Sequence, residues 1–175
     1  MMRAMVVYES MFGDTKAVAD AVATGMAGDF GVEIVEVGDA PKVIDDAIDV
    51  LVVGGPTHAF GLSRPGTRED AAKQATGLRV ISDRCGLREW LADVTIHQNL
   101  LAVAFDTRVD KPRVPGSAAH AAQRRLRRMG CTVVAPAESF YVAGTQGPLV
   151  AGELDRANGW GRTLSSRVPH PGFAP

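Results

Sequence analysis

The chain has 175 residues, 46% of them hydrophobic and 22% charged, and its formal net charge is -1. This length suits one domain with a full core, while the balanced charge argues against intrinsic disorder and against a surface built throughout to bind nucleic acid. No apolar run approaches the ~20 residues needed to span a bilayer, and the first strand starts too early for a signal peptide to precede it. The cysteines, Cys85 and Cys131, lack metal-ligand spacing. We expect a cytoplasmic protein with reduced thiols and no membrane insertion.

The first predicted unit is a strand, a polar turn and a helix. Residues 5–8 are a short apolar run, residues 10–14 form the turn, and helical spacing of apolar residues begins at Thr15. Such a turn leaves the first helical N–H groups unpaired, and the helix dipole adds partial positive charge there. Ser10 and Thr15 add hydroxyl donors, and Gly13 allows close approach of the backbone. The sequence therefore predicts a phosphate site at this turn.

Two common phosphate motifs do not occur at this turn. Neither G-x-G-x-x-G nor G-x-x-x-x-G-K-(S/T) follows the strand, so a nucleoside triphosphate is not the expected ligand. The carboxylate of Asp14 must point away from a bound phosphate or cap the helix. The alternative is that the turn is a capped helix start that binds nothing.

The next segments predict an edge strand and a central strand. Residues 32–37 alternate apolar residues with glutamates, which is typical of a strand near a sheet edge. The spacing of apolar residues over 43–47 predicts a short helix after Pro41. Residues 49–54 are almost continuously apolar and β-branched, as expected for a central parallel strand that is covered on both faces.

A chemically mixed loop at residues 55–61 follows this central strand, and its Phe60 could form a wall for a flat ligand. A helix is predicted from near Thr67 and a short amphipathic helix over 87–94. The later elements are a buried strand at 100–105, a helix from Ser117 to Met129, a last strand that Pro136 divides into residues 131–134 and 139–142, a terminal helix that opens between residues 148 and 153, and a Pro-rich tail at 169–175.

Strands that alternate with helices predict an open parallel sheet with helices on both faces, and ligands of such sheets bind past the carboxyl ends of the strands. Three mixed loops follow buried strands and should gather there. One suits a phosphate, one offers an aromatic ring and an imidazole, and one offers polar groups, which together describe an FMN site. The candidate residues are Ser10, Met11, Phe12, Gly13, Asp14, Thr15, Pro56, Thr57, His58, Ala59, Phe60, Gly61, Phe105, Asp106, Thr107 and Arg108.

The chain resembles the flavodoxin family. The family's phosphate loop, roughly (S/T)-x-x-G-x-T after a strand, is matched by Ser10, Gly13 and Thr15, and the loop after residue 55, the strand end at 105–108 and the glycine-rich run at 147–161 are also similar. The resemblance implies an α/β, flavodoxin-like, three-layer fold whose five-stranded parallel sheet has the order 2-1-3-4-5. It also implies one domain over 1–168, FMN as cofactor, and electron transfer to a redox partner protein.

Three functions stay open at this point. The chain is nearly neutral and only 6% aromatic, whereas flavodoxins have acidic surfaces and aromatic residues around the flavin. The turn at 10–13 and Pro56, Thr57 and Gly61 also resemble flavodoxin-like NAD(P)H:quinone reductases, whose acceptor would be a quinone. An FMN electron carrier is favoured, an NAD(P)H:quinone oxidoreductase is the alternative, and a flavin-free interaction module on the same fold is the third possibility.

Several polar residues have open roles. His58 could stack on the flavin, donate to its edge or relay protons. Asp106 near the pyrimidine edge would lower the flavin potential, whereas Arg108 would raise it. The other histidines lack carboxylate or cysteine partners at ligand spacing, so no metal is expected.

Overall fold

The computed structural model describes residues 1–75, 77–112 and 115–169 of the chain, so the predicted tail lies outside the described residues except for its first residue. In chain order the elements are β1 (Met2–Tyr8), α1 (Asp14–Met26), β2 (Phe30–Glu36), β3 (Val43–Ile44), β4 (Val50–His58), β5 (Gly61–Leu62), α2 (Pro65–Gln74), α3 (Leu87–Asp93), β6 (Thr95–Ile96), β7 (Leu101–Val109), α4 (Ala118–Arg128), β8 (Thr132–Val133), β9 (Glu138–Val142) and α5 (Glu153–Arg167).

The strands of the central sheet are parallel and run in the order β2-β1-β4-β7-β8. β9 pairs with the later part of β7, on the same side of that strand as β8. β8 and β9 are the two halves of the predicted last strand, separated by residues 134–137. Counted as one strand, they complete the order 2-1-3-4-5, and the predicted fold class is confirmed. The edge position predicted for the second strand is also confirmed, since among the described residues β2 pairs only with β1.

The core lies on both faces of the sheet because β1, β4 and β7 are apolar at successive positions. Alternate side chains of these strands point to opposite faces. One face of the sheet packs against α1 and α5, and the other packs against α3 and α4. The buried strand residues include Val6, Val52 and Val103 on the first face and Val7, Val53 and Ala104 on the second.

One predicted element is wrong. The short helix expected after Pro41 is instead β3, which pairs in parallel with β6 in a separate two-stranded sheet through Val43↔Thr95 and Ile44↔Ile96. Apolar residues at positions 43, 44 and 47 fit a helix or a strand equally well, and the partner segment lies about fifty residues later in the chain, so local spacing could not decide between them.

α1 and α5 touch through their backbones. A Cβ atom on Gly25 would lie 2.1 Å from the carbonyl oxygen of Asn158, and one on Gly161 would lie 2.3 Å from that of Val22. Glycine at both positions lets the two helices approach closely. This contact fixes α1 against α5, and the turn before α1 is the predicted phosphate loop.

Candidate functional site

The turn between β1 and α1 leaves the start of the helix open. Gly13 is the N-cap residue with φ 108°, a left-handed conformation that favours glycine, and no side chain caps α1. The Gly13 N–H donates to Ser10 Oγ at 3.1 Å. The amides of the first helical turn therefore keep their donors for an external acceptor, and the dipole of the helix favours an anion there.

Three further hydrogen bonds hold this turn in place. Thr15 Oγ1 lies 2.7 Å from Thr107 Oγ1 at the end of β7. From the other side, the N–H groups of Ile81 and Ser82 donate to the carbonyl oxygens of Met11 and Ser10 at 3.1 and 2.8 Å. The segment at residues 81–82 thus supports the turn from behind. Sequence reasoning missed this segment, which has no periodic pattern.

A cleft of about 350 Å3 opens at the carboxyl edge of the sheet beside this turn. The structure brings eleven of the predicted residues to its walls: Ser10, Met11, Phe12, Asp14, Thr15, Pro56, Thr57, His58, Ala59, Thr107 and Arg108. Gly13 belongs to the same turn and shapes it through its backbone. Phe60, Gly61, Phe105 and Asp106 do not line the cleft.

The cleft has a wall that the sequence did not indicate. One side is α2, and another is built from the last residues of β7 and β9 and from Thr145 after β9. The added residues are Thr67, Asp70, Ala71, Gln74, Val109, Val142 and Thr145. Gln146 Nε2 donates to the carbonyl oxygen of Gln74 at 2.7 Å and joins the two sides. α2 buries only Ala71 in the core, and three of its polar residues, Thr67, Asp70 and Gln74, line the cleft.

The structure places the Phe105 ring in the core and away from the cleft. The side chain is 1% exposed, and its ring makes edge contacts with Phe140 and Trp160 at centroid distances of 6.0 and 6.2 Å. Neither Phe105 nor Asp106 is among the residues that line the cleft. The expectation that Phe105 contacts the flavin is not supported by this placement.

The carboxylate of Asp106 lies against the start of α4. Its Oδ2 accepts hydrogen bonds from Thr57 Oγ1 at 2.9 Å, Ser117 Oγ at 2.5 Å and the Ala119 N–H at 3.0 Å. Asp106 is fully buried and complements the positive end of the helix. The carboxylate therefore helps to hold α4 and Thr57, and a place for Asp106 beside the pyrimidine edge of a flavin stays a prediction.

β4 and β5 form a hairpin in which His58 pairs with Gly61. The two turn residues are Ala59 with φ 43° and Phe60 with φ 72°, unusual values for residues other than glycine. Phe60 is 61% exposed, and its backbone rests on Gly116, where an added Cβ would lie 2.0 Å from the Phe60 carbonyl oxygen. The hairpin brings His58 and Ala59 to the cleft and leaves the Phe60 ring in solvent.

Asp14 and His58 carry the shifted pKa values in the cleft. Partial burial raises the pKa of Asp14, against the opposing effect of a hydrogen bond from the Leu149 backbone. This carboxylate is turned towards residues 147–149, since a Cβ on Gly147 would lie 2.4 Å from its Oδ2. Burial, and secondarily the charge of Arg68, lower the pKa of His58, so its imidazole is neutral at pH 7.

Metal ligands and membrane-spanning helices are both absent from the part of the chain that the structure describes. No group of three His, Cys, Asp or Glu side chains among these residues lies together in a way that could hold a metal ion. No helix within residues 1–75, 77–112 and 115–169 is both long and apolar enough to cross a membrane.

The architecture and the position of the cleft define a flavodoxin-like α/β fold. An archaeal flavodoxin structure superposes with a TM-score of 0.64 and 21% identity, covering 97% of this chain and 100% of that chain. Flavodoxin 1 of Bacillus cereus gives a TM-score of 0.68 at 14% identity over 95% of this chain and 99% of its own, and a flavodoxin, WrbA-like protein from Agrobacterium tumefaciens gives 0.59 at 17% identity over 95% and 96%. No family model matches the sequence, and no curated protein matches it. At these identities the likeness concerns the fold.

Proposed function

We propose that this protein binds FMN in the cleft and transfers electrons through it. The observation that carries the proposal is the open start of α1, where Gly13 is the N-cap and no side chain caps the helix. A binding site of this kind needs no cationic side chain, because the amides and the helix dipole supply the attraction. The flavodoxin-like fold supports the same reading, since its relatives in structure are flavodoxins.

The residues present fit the two ends of FMN. Ser10, Thr15 and the amides between them would hold the phosphate, while His58 and Ala59 on one side and Arg108 on the other would enclose the ring. A volume of about 350 Å3 lies within the range of small-molecule sites. FMN supplies the redox chemistry when bound, and the chain fixes its position and its potential.

An electron carrier remains the favoured form of this function, with a redox protein as partner. We also infer a cytoplasmic location, since both cysteines are free thiols, as a reducing compartment keeps them. One observation favours the alternative, a quinone reductase. Phe12 is the one aromatic residue among those described as lining the cleft, so a flavin ring there would have a face open to a planar substrate.

The test is a titration of the purified protein with FMN and with riboflavin, followed by absorption, fluorescence and melting temperature. Binding should quench the fluorescence of FMN and raise the melting temperature of the protein. Riboflavin should bind roughly tenfold to a hundredfold more weakly, because it lacks the charge-assisted hydrogen bonds of the phosphate. Addition of NAD(P)H then separates the two redox functions. A carrier oxidises it negligibly by itself, whereas a quinone reductase consumes it rapidly when a quinone is present.

A matched pair of variants locates the phosphate. Gly13 and Gly152 are both N-cap residues with positive φ, 108° and 87°, at the starts of α1 and α5. Alanine strains the backbone similarly at either position, but only Gly13→Ala should weaken FMN binding while leaving riboflavin binding unchanged. Equal binding of FMN and riboflavin by the wild-type protein would refute the phosphate site, and a protein that binds neither would be the flavin-free module.

A further inference from the structure

His58 is the one imidazole described at the walls of the cleft, and its surroundings restrict how it can hydrogen-bond. It is the last residue of β4, paired with Gly61 in the hairpin, so its backbone is fixed. Its ring is half-buried between the cleft and α2. The Nδ1 atom lies 3.3 Å from the hydroxyl oxygen of Thr67. The orientation of this one hydroxyl therefore decides which ring nitrogen carries the proton.

The Thr67 hydroxyl is already engaged at the start of α2. Its oxygen accepts from the Arg64 N–H at 2.9 Å, and its proton is donated to the Arg64 carbonyl oxygen at 3.0 Å. A hydroxyl has one proton and two lone pairs. With the proton committed to the shorter contact, the remaining lone pair faces Nδ1, and the imidazole must donate there.

The other ring nitrogen, Nε2, has no hydrogen-bond partner among the described residues. Nε2 is not among the buried polar atoms that lack a partner, so it is accessible to solvent, and His58 is one of the residues that line the cleft. A neutral imidazole that donates through Nδ1 has a lone pair on Nε2. The lowered pKa of His58, caused by burial and by Arg68, keeps the ring in this neutral form at pH 7.

We propose that Thr67 holds His58 in the tautomer protonated on Nδ1, so that Nε2 accepts a hydrogen bond from an N–H of the ring system bound in the cleft. The second half of this statement rests on the proposed function. An isoalloxazine ring carries an N–H when oxidised and gains another on reduction, so the contact selects a ring with a donor at that edge and discriminates against planar molecules that present only acceptors there.

The first test needs no ligand. In the 15N-labelled protein above pH 7, long-range proton–nitrogen spectra report the tautomer of each imidazole, and His58→Gln identifies the signals of His58. The expected pattern is a protonated Nδ1 in wild type and in Thr67→Ser, and a change to protonated Nε2 in Thr67→Val, which lacks the hydroxyl. A wild-type ring protonated on Nε2 would overturn the proposal, whether or not Thr67→Val folds.

The second test measures the ring contact. His58→Leu should weaken FMN and riboflavin by the same factor, about five- to tenfold, because one hydrogen bond to the ring is lost and the phosphate is untouched. His58→Gln should stay within about twofold of wild type, since its amide oxygen can accept near the place of Nε2. A His58→Leu variant that binds FMN as tightly as wild type would overturn the ring contact and leave the proposed function intact. Failure of wild type to bind FMN would overturn both, and the tautomer would then stand on its own measurement.

Discussion

The contact between Gly54 and Phe105 predicts a specific coupling between two substitutions. The residues are paired across β4 and β7, and the phenyl ring covers the glycine. A Cβ on Gly54 would lie 1.9 Å from Cζ and 2.3 and 2.4 Å from Cε1 and Cε2 of Phe105. Leucine lacks these three atoms. Gly54→Ala should therefore be severe in the wild-type protein and nearly neutral in a Phe105→Leu background.

The magnitudes follow from the packing of the ring. Edge contacts with Phe140 and Trp160 hold Phe105 in place, so Gly54→Ala alone should lower the free energy of unfolding by about 1–3 kcal/mol through overpacking. Phe105→Leu alone should cost about 2–3 kcal/mol, from lost apolar burial and lost aromatic contacts. Independent effects would give a double variant about 3–6 kcal/mol less stable than wild type, whereas the coupling should leave it close to Phe105→Leu.

Urea denaturation of the four proteins gives the free energies, and FMN titration of the same samples separates core from cofactor site. An equal cost of Gly54→Ala in both backgrounds would refute the packing argument. FMN affinity of Phe105→Leu should stay within about twofold of wild type, because the ring does not reach the cleft. A tenfold loss of affinity with unchanged stability would return Phe105 to the cofactor site.

Three further outcomes are expected. Gly161→Ala should lower the free energy of unfolding by about 1–3 kcal/mol, because the added Cβ clashes with Val22. Gly159→Ala in the same helix should raise it by up to ~1 kcal/mol, because its Cβ meets open space. If urea denaturation ranks the two variants in the opposite order of stability, the helix contact is contradicted. Burial raises the pKa of Glu9 above 4.5, so the folded state binds this proton more tightly than the unfolded state, and the stability it contributes below pH 4.5 is lost as pH rises through the folded value. The melting temperature of wild type relative to Glu9→Gln should accordingly fall over that range, and a rise would contradict it. Burial raises the pKa of Cys131 to about 11, so a thiol reagent at pH 8 should label it only in urea, and fast native labelling would show an accessible thiol.

The sheet could be predicted because its information is local. Runs such as residues 50–54 are apolar at every position, as a strand covered on both faces requires. The alternation of strands with helices then restricts the topology. β3 escaped prediction because its two residues pair with β6, far along the chain. The break between β8 and β9 was indicated by Pro136, which cannot donate to a sheet.

Part of the candidate site could also be predicted from the sequence, for the same reason. Loops that follow buried strands meet at one edge of a parallel sheet, so the order of elements along the chain is enough to bring Ser10, Thr15 and His58 together. Strand alternation also contains the information that Phe105 and Thr107 face one side and Asp106 the other. The part of the cleft formed by α2 could not be predicted from the sequence. Thr67 and Gln74 belong to no recognisable motif, and only the fold brings them to the cleft.

The close approach of α1 and α5 has a consequence for biosynthesis. α1 leaves the ribosome early, but the helix against which its backbone rests spans residues 153–167. At roughly 5–20 residues per second, the interval between the two is on the order of ten seconds. During this interval the nascent chain has α1, and the turn before it, without the helix against which α1 packs. If the protein binds FMN as proposed, we expect loading to follow the synthesis of α5.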